Sequence, residues 1–179
     1  MRTGRTRSLR RTKIKSLKVL AKIAAKLRAE GKIVVFTNGC FDILHSGHVQ
    51  YLEKAKDTGD CLIVGLNSDS SVRKIKGNNR PIVPESDRAE VLAGLQSVDF
   101  VVLFGQDTPL KTIQALKPDV LIKGGDWIKD KIVGADFVIK HGGRVETVTL
   151  KAGQSTTNII ERIKKQVLNE KDSSRTMCK

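Results

Sequence analysis

No stretch of this 179-residue sequence approaches the ~20 consecutive apolar residues that a membrane-spanning helix needs. The basic N-terminus is not followed by the apolar core of a secretory signal. We therefore expect a soluble, cytoplasmic protein. A hydrophobic fraction of 39% over this length is enough to build one sizeable buried core.

Cysteine is also scarce. Cys40, Cys61 and Cys178 are widely spaced and form no CxxC pair. Such a pattern is neither a disulfide framework nor a common zinc site. It is typical of a protein from a reducing compartment.

Acidic residues are missing from the N-terminus. Residues 1–15 contain seven arginines or lysines and no aspartate or glutamate, and they carry half of the net charge of +14. This composition predicts a disordered basic tail, and the polar residues 169–179 predict a second tail at the C-terminus. The single domain between them, residues 16–168, is still basic, as expected for a protein whose ligands are polyanions.

A basic tail also raises the possibility of a nucleic-acid-binding module, whose binding would depend steeply on salt. Aromatic residues for base stacking are not interleaved with the basic residues of the tail. We therefore predict that neither nucleic acid nor a membrane is a partner.

Beyond the tail, strand-like and helix-like segments alternate. Continuous apolar runs predict strands at residues 32–38, 61–67, 100–104, 119–124 and 144–150. Helices are predicted at residues 16–30, 45–59, 84–96, 108–117, 132–143 and 155–168, with Thr108 as the N-cap of the fourth. This order predicts a Rossmann-like α/β fold, with a five-stranded parallel sheet and helices on both faces.

The segment "TNGCFDILHSGHVQYL" places His45 and His48 directly after the first of these strands. In a parallel sheet, ligands bind beyond the carboxyl ends of the strands, and a helix that begins there attracts phosphate. Histidines three residues apart can lean toward one anion. Zinc would need a third ligand, and the only other histidine, His141, is far along the sequence. Helix capping explains one histidine but not both.

The same region resembles the HxGH nucleotidyltransferase superfamily. The fuller set of motifs, "TNGCFD", "NSD", "KGNNRP", "KGGDW" and "STTNII", lies in this order within residues 32–163 and is similar to that of bacterial ADP-heptose synthases, the D-glycero-β-D-manno-heptose 1-phosphate adenylyltransferases. Many members are fused to a sugar kinase, for which this sequence has no room, so it resembles the stand-alone form.

The resemblance implies transfer of AMP from ATP to the sugar 1-phosphate, with release of pyrophosphate, for lipopolysaccharide core biosynthesis. The alternative is a cytidylyltransferase or adenylyltransferase that acts on another small phosphate such as glycerol 3-phosphate. A sugar phosphate dianion is already a deprotonated nucleophile, so the chemistry needs cations and hydrogen-bond donors rather than a general base. Mg²⁺ is expected on the ATP phosphates without a protein metal ligand, and a homodimer is expected.

The resemblance also assigns residues to roles. Catalytic roles fall to His45, His48 and Lys76. The nucleotide-binding residues are Thr37, Asn38, Gly39, Phe41, Gly47, Arg88, Lys123, Gly125, Asp126, Trp127, Ser155, Thr156 and Thr157. The substrate-binding residues are Cys40, Asp42, Asn67, Asp69 and Arg80.

Several of these residues also have an ordinary structural explanation. The run "VRKIKGNNR", predicted as a loop, would be a solvated basic segment if it stood alone, and Arg88 could be an exposed helix residue. Trp127 could pack beside a Gly-Gly turn. The first helix, residues 16–30, is a candidate partner surface but could equally pack on its own sheet.

The last helix and two aspartates leave similar choices open. Ser155 or Thr156 can cap the helix and still donate hydrogen bonds to phosphate. Asp69 and Asp99 could simply mark the end or the beginning of a strand.

Overall fold

The computed structural model describes residues 12–125, 131–149 and 155–176. Asp126 and Trp127, which we predicted to bind nucleotide, lie outside the described residues. In chain order the elements are α1 Leu17–Ala29, β1 Val34–Gly39, α2 Ser46–Lys56, β2 Cys61–Asn67, α3 Asp69–Lys76, α4 Glu85–Gly94, β3 Phe100–Phe104, α5 Leu110–Leu116, β4 Val120–Gly124, α6 Ala135–Lys140, β5 Arg144–Val148 and α7 Thr156–Thr176.

The five strands form one parallel sheet in the order β3-β2-β1-β4-β5. This confirms the predicted Rossmann-like class. The strand order reverses between β1 and β4, where Thr37 lies opposite Ile122. In such sheets, ligands bind in the crevice beyond the carboxyl ends of the strands at the reversal. The loop after β1 lies at this position.

Apolar side chains cover both faces of the sheet. One core cluster contains Leu52 of α2 and Leu92 of α4 against Val35 of the sheet. The other contains Leu20 of α1 and Ile113 of α5. Because successive strand residues point to opposite faces, the continuous apolar strands supply both clusters, which explains why they show no polar alternation.

The first helix packs on its own sheet. Leu20 and Ala24 of α1 are fully buried in the second cluster, so the structure supports this alternative over a free partner surface for that face. Among the described helices, none combines the length and apolar character needed to cross a membrane.

Three element boundaries differ from the predictions. The basic segment predicted as a loop is helical up to Lys76, because Ser68 caps α3 by accepting the N–H of Ser71. Pro109, rather than Thr108, is the N-cap residue of α5. The last helix continues to Thr176, so the C-terminal segment predicted as a disordered tail begins as helix.

The predicted N-terminal tail, residues 1–15, extends too far, because its last residues dock on the sheet. Ile14 forms a parallel bridge with Val101 of β3, and the Lys13 ammonium group donates to the carbonyl oxygens of Leu95 and Val98 at 3.1 and 2.7 Å. A single apolar residue in a basic run gave no periodic signal that could have predicted this contact. The segment covers part of an edge strand that would otherwise expose its backbone.

Candidate active site

A cavity of about 370 Å³ lies at the carboxyl end of the sheet. Its walls come from the loop after β1, the start of α2, the region after α3 and the start of α7. The lining residues are Cys40, Phe41, Asp42, His45, Gly47, His48, Lys76, Arg80, Ser155, Thr156 and Thr157. All eleven belong to the residues that the sequence nominated, so the fold brings four separate motifs to one place. Their binding roles stay predictions.

The two histidines form a stacked pair. Their ring centroids are 4.0 Å apart, and His45 precedes α2 while His48 lies in its first turn. Burial lowers the pKa of His45, and burial together with the neighbouring His45 ring lowers the pKa of His48 to about 4. Both rings are therefore neutral near pH 7 and act as hydrogen-bonding groups rather than cations.

The Nδ1 atoms of both histidines are buried. Within the described part of the chain, neither Nδ1 has a hydrogen-bond partner. Buried polar atoms are nearly always paired in folded proteins, so two such atoms in adjacent side chains mark a functional site. These unpaired atoms reduce the stability of the fold, and both lie in residues that line the cavity, where a polar ligand would bind.

The loop after β1 adopts an unusual conformation that supports this pair. Phe41 has a φ of 44°, in the left-handed region that non-glycine residues rarely occupy. Its ring packs over Gly39, where an added Cβ would lie 2.9 Å from a ring carbon. The same ring contacts His48, with centroids 5.3 Å apart. Gly39 therefore acts through Phe41 to support the histidine pair, and backbone strain of this kind clusters at functional sites.

Asp42 closes the loop onto the segment that carries Arg80. One carboxylate oxygen accepts the backbone N–H groups of Ile82 and Val83 at 2.8 and 2.9 Å, and the other accepts Arg80 Nε at 2.5 Å. Burial would raise the pKa of Asp42, but these three donors together lower it. Asp42 is thus an ionised anchor of the loop as well as part of the cavity wall.

Two cations and one helix start complete the lining. Lys76 ends α3 and Arg80 follows it, and both cations line the same cavity as the histidines. At the start of α7, the Ser155 hydroxyl accepts the N–H of Asn158 at 3.0 Å, and the Thr156 hydroxyl donates to the carbonyl oxygen of Ile43 at 3.3 Å. The cap predicted for Ser155 is therefore present at the cavity.

The Cys40 thiol lines the cavity in its protonated form. Burial raises the pKa of Cys40, although the nearby Lys76, Arg88 and Arg80 oppose that effect. A raised pKa makes the thiol a poor nucleophile at neutral pH. Cys40 therefore contributes shape to the wall rather than covalent chemistry.

Arg88 lies beneath the cavity and is not one of its lining residues. Its side chain is fully buried, and it donates to the carbonyl oxygens of Cys40, Asn67 and Val83 and to the Asp69 carboxylate at 2.5 to 3.0 Å. The alternative that Arg88 is an exposed helix residue is wrong. Four bonds to three segments connect the loops through Arg88, and this geometry offers no support for direct nucleotide contact.

The remaining nominated residues also lie outside the lining set. The Asn67 amide donates to the Ser71 hydroxyl at 2.9 Å, and Asp69 is paired with Arg88. Thr37 is fully buried in β1. Asn67 and Asp69 thus have structural partners within the protein, so their predicted substrate contact stays a prediction without geometric support. The same holds for the predicted nucleotide contact of the buried Thr37.

At the ends of β1 and β4, the Lys123 ammonium group donates to Asn38 Oδ1 at 3.3 Å, and burial lowers the pKa of Lys123. Gly125 follows with a φ of 101° and donates its N–H to the carbonyl oxygen of Val148. The pair and the glycine border the strand reversal. They stand next to the region where residues 126–130 are not described.

Comparison with known proteins identifies the family. A sequence model of the family described as cytidylyltransferase-like matches residues 36–162, which include most of β1, the histidine pair and the start of α7. The chain belongs to the cytidylyltransferase-like family. This confirms the resemblance to nucleotidyltransferases that the motifs indicated.

Relatives of the cytidylyltransferase-like chain include two proteins named bifunctional protein HldE. The protein from Geotalea uraniireducens is 55% identical over 88% of this chain, and the one from Geobacter metallireducens is 57% identical over 84%. The chain spans about a third of the length of these curated relatives, with 32% and 31% of them covered.

Two solved structures are similar to this chain in fold. The lipopolysaccharide core biosynthesis protein from Thermoplasma volcanium is 34% identical, with a TM-score of 0.54 over 68% of this chain and 98% of that chain. The pantoate-beta-alanine ligase from Francisella tularensis, 16% identical with a TM-score of 0.53, covers 80% of this chain and 68% of that chain and shares the fold.

The described part of the cytidylyltransferase-like site presents no set of protein ligands for a metal. Among the described residues, no group of three or more histidine, cysteine or acidic side chains is placed to hold an ion. Asp42 is the one carboxylate in the lining set, and its oxygens are already bonded to Arg80, Ile82 and Val83. The described residues of the site therefore do not fit a protein-held Mg²⁺.

One residue of the site region escaped the sequence analysis. Tyr51 is the only tyrosine of the chain and lies on α2, three residues after His48. Its hydroxyl contacts Thr37 at 2.5 Å. The spacing from His48 was a signal that could have been used, because residues three apart share one face of a helix.

Proposed function

We propose that the chain transfers AMP from ATP to D-glycero-β-D-manno-heptose 1-phosphate and releases pyrophosphate, giving ADP-heptose. The observation that carries the proposal is the convergence of the stacked His45–His48 pair, Lys76, Arg80 and the start of α7 on one cavity. The names of the relatives, a bifunctional HldE and a lipopolysaccharide core biosynthesis protein, support the choice of a heptose acceptor.

The site chemistry suits an in-line displacement at the α-phosphate of ATP. The sugar phosphate oxygen forms the new bond to phosphorus while the bond to the pyrophosphate oxygen breaks, and no protein group needs to remove a proton. The main barrier is the gathering of negative charge, which preorganised donors can offset. Neutral His45 and His48 would donate hydrogen bonds to the phosphates, and Lys76 and Arg80 would supply positive charge.

The start of α7 adds a second contribution. The positive end of a helix dipole favours an anion, and the hydroxyls of Ser155, Thr156 and Thr157 stand at this end. Together with the start of α2, two helix ends would face the bound phosphates from different sides. Ser155 can cap α7 through its oxygen and still approach a phosphate through its proton.

Mg²⁺ belongs to the proposal as a companion of ATP rather than as a resident of the protein. Its role would be to neutralise phosphate charge when the nucleotide binds. ATP as the donor supports the expected cytoplasmic location. A homodimer is also part of the proposal, and light scattering of the purified chain tests it directly.

A second candidate function is cytidylyl transfer. The family description itself favours testing CTP, and selection of the base depends on pocket contacts rather than on the phosphate-binding motifs. The sugar is similarly selected by a few hydrogen bonds, which can shift discrimination by orders of magnitude.

A substrate panel tests the proposal. ATP, CTP, GTP and UTP would each be combined with heptose 1-phosphate, glycerol 3-phosphate and phosphopantetheine in the presence of Mg²⁺, with pyrophosphate release as the signal. We expect the strongest release from ATP with heptose 1-phosphate. A preference for CTP, or for an acceptor without a sugar ring, would overturn the substrate assignment. No release from any pair would contradict the proposed activity itself.

A further inference from the structure

The Tyr51 hydroxyl lies at the strand reversal. It contacts Thr37 Oγ1 of β1 at 2.5 Å and points to the carbonyl oxygen of Ile122 of β4 at 3.4 Å. Thr37 and Ile122 are directly paired across β1 and β4. One side chain of α2 therefore reaches both of the strands between which the order of the sheet reverses.

The two hydroxyls and the Ile122 carbonyl oxygen can form one consistent chain of hydrogen bonds. Each hydroxyl has one proton, so Thr37 can donate to the Tyr51 oxygen while Tyr51 donates to the Ile122 carbonyl oxygen. Thr37 is fully buried and Tyr51 is 5% exposed, within the apolar cluster that contains Leu52 and Val64. Burial raises the pKa of Tyr51 to about 12, so the phenol stays protonated and able to donate.

Apolar packing alone would not need these polar atoms. Phenylalanine and valine would fill nearly the same space, and hydrophobic contact is not directional. A hydrogen bond instead requires a defined distance and angle, so it fixes how far α2 is rotated and shifted on the sheet. The rotation of α2 in turn determines the position of His48, which lies one helical turn before Tyr51 on the same face of α2.

We propose that Tyr51 is a positioning residue: through Thr37 and Ile122 it holds α2 at the rotation and height that place His45 and His48 against the reacting phosphates. This proposal rests on the adenylyl transfer proposed above. A misplacement of about 1 Å can cost on the order of 100-fold in rate, which is why a contact distant from the cavity would affect the reaction.

The test uses Tyr51→Phe, Thr37→Val and the double variant in the 179-residue chain. In the double variant neither buried hydroxyl is left without a partner, so its thermal midpoint should recover relative to Tyr51→Phe. We expect kcat to stay at least ~10-fold below wild type in both, with the KM for ATP changed less than about twofold. If Tyr51 had a purely structural role, the double variant would recover kcat together with its thermal midpoint.

A second readout does not depend on turnover. The chain has three histidines, so NMR titration of their ring signals can follow His45 and His48 individually, with His141 on α6 as an internal reference. Loosening of α2 would admit water to the pair, and we expect the His48 midpoint to rise from about 4 toward the usual 6.5 in Tyr51→Phe and in the double variant.

The matched control is Ile113→Val, which removes one buried methyl group in the opposite core cluster on α5. It should lower the thermal midpoint by a few degrees while kcat and the His48 midpoint stay at their wild-type values. An unchanged His48 midpoint in the double variant would overturn the positioning role, whatever the turnover.

The two proposals can fail separately. If wild type releases no pyrophosphate from any substrate pair, the proposed function fails, and the NMR titration still decides whether Tyr51 holds the histidines in place. If wild type is active and the double variant matches it in kcat and in the His48 midpoint, the proposed function stands and Tyr51 is an ordinary core residue.

Discussion

At the amino ends of the strands, three aspartates each accept a backbone N–H from the beginning of a neighbouring strand or from the residue just before it. At the carboxyl ends, the two buried histidine Nδ1 atoms have no partner in the described chain. Asp60 accepts the N–H of Ile33 at 2.8 Å, Asp99 that of Leu62 at 2.7 Å and Asp119 that of Val34 at 2.8 Å. Each aspartate directly precedes a strand. Asp99 therefore marks the beginning of β3, which was one of the two alternatives left open by the sequence.

This difference separates residues that hold the fold from residues available to a ligand. At the amino end, Asp99 also binds Lys56 at 2.6 Å, so charge and hydrogen bonds are matched within the protein. At the carboxyl end, Phe41 is strained, and the desolvated His48 has a buried Nδ1 atom without a partner in the described chain. Unmatched groups of this kind reduce stability, and they persist where a ligand completes them.

The largest expected effect comes from the carboxyl end. We expect His45→Ala and His48→Ala each to lower kcat by ~10² or more, since each ring would act on transition-state charge. Their thermal midpoints should stay close to wild type, because each change removes a buried polar atom that has no partner. Steady-state pyrophosphate release and thermal unfolding measure the two quantities.

The amino end provides the matched control for the histidine variants. Asp99→Ala should lower the free energy of unfolding by about 1–3 kcal/mol, since the Leu62 N–H loses its acceptor and Lys56 loses one of two. It should keep kcat within about twofold. If the histidine variants keep near-wild-type turnover, or if Asp99→Ala loses turnover without losing stability, the division between the two ends is wrong.

Arg88 lies where the two roles meet, because it holds the loop of the active site from inside the core. We expect Arg88→Met to lower the free energy of unfolding by about 3 kcal/mol and to reduce kcat as well, since Asp69 and three carbonyl groups lose their donor. Urea denaturation and turnover would be compared with Arg162→Met, which changes an exposed arginine of α7. Loss of turnover without loss of stability would instead favour the predicted nucleotide contact.

The outcome for Arg88 shows where sequence reasoning was sufficient and where it was not. Alternation of strands and helices predicted the sheet, and motifs after strands predicted the cavity lining, because both depend on local order along the chain. The burial of Arg88 depends in part on the carbonyl groups of Cys40 and Asn67, which are distant in sequence, and nothing in "SDRAEVL" indicates them. The helix α3 was missed for a related reason: Val72 and Ile75 alone give a weak periodic signal, and its Ser68 cap was not recognised.

The pH dependence of stability offers a smaller and more specific test. The pKa of His48 is lowered to about 4 in the folded chain from 6.5 in the unfolded chain, so the unfolded state binds more protons as the pH falls. The contribution of neutral His48 to the free energy of unfolding is therefore fully present above pH 6.5 and is lost as the pH falls from 6.5 to about 4. We expect wild type to lose about 1–2 kcal/mol more than His48→Gln over this range. Parallel curves for the two proteins would contradict the lowered pKa.

The smallest effect on turnover is expected at the N-terminus, where the boundary between tail and fold can be measured. Deletion of residues 1–11 should leave both stability and kcat/KM unchanged, because the sequence of this segment is rich in arginine and lacks an apolar face for packing. Deletion of residues 1–15 also removes the Lys13 bonds and the Ile14 bridge, and it should lower the free energy of unfolding by about 1–2 kcal/mol with kcat/KM still near wild type. Chemical denaturation and turnover of the two truncated chains decide the matter. A large loss of kcat/KM in the shorter deletion would show that the arginines of the tail reach an active site, which would join the N-terminus to the carboxyl end of the sheet rather than to its structural scaffold.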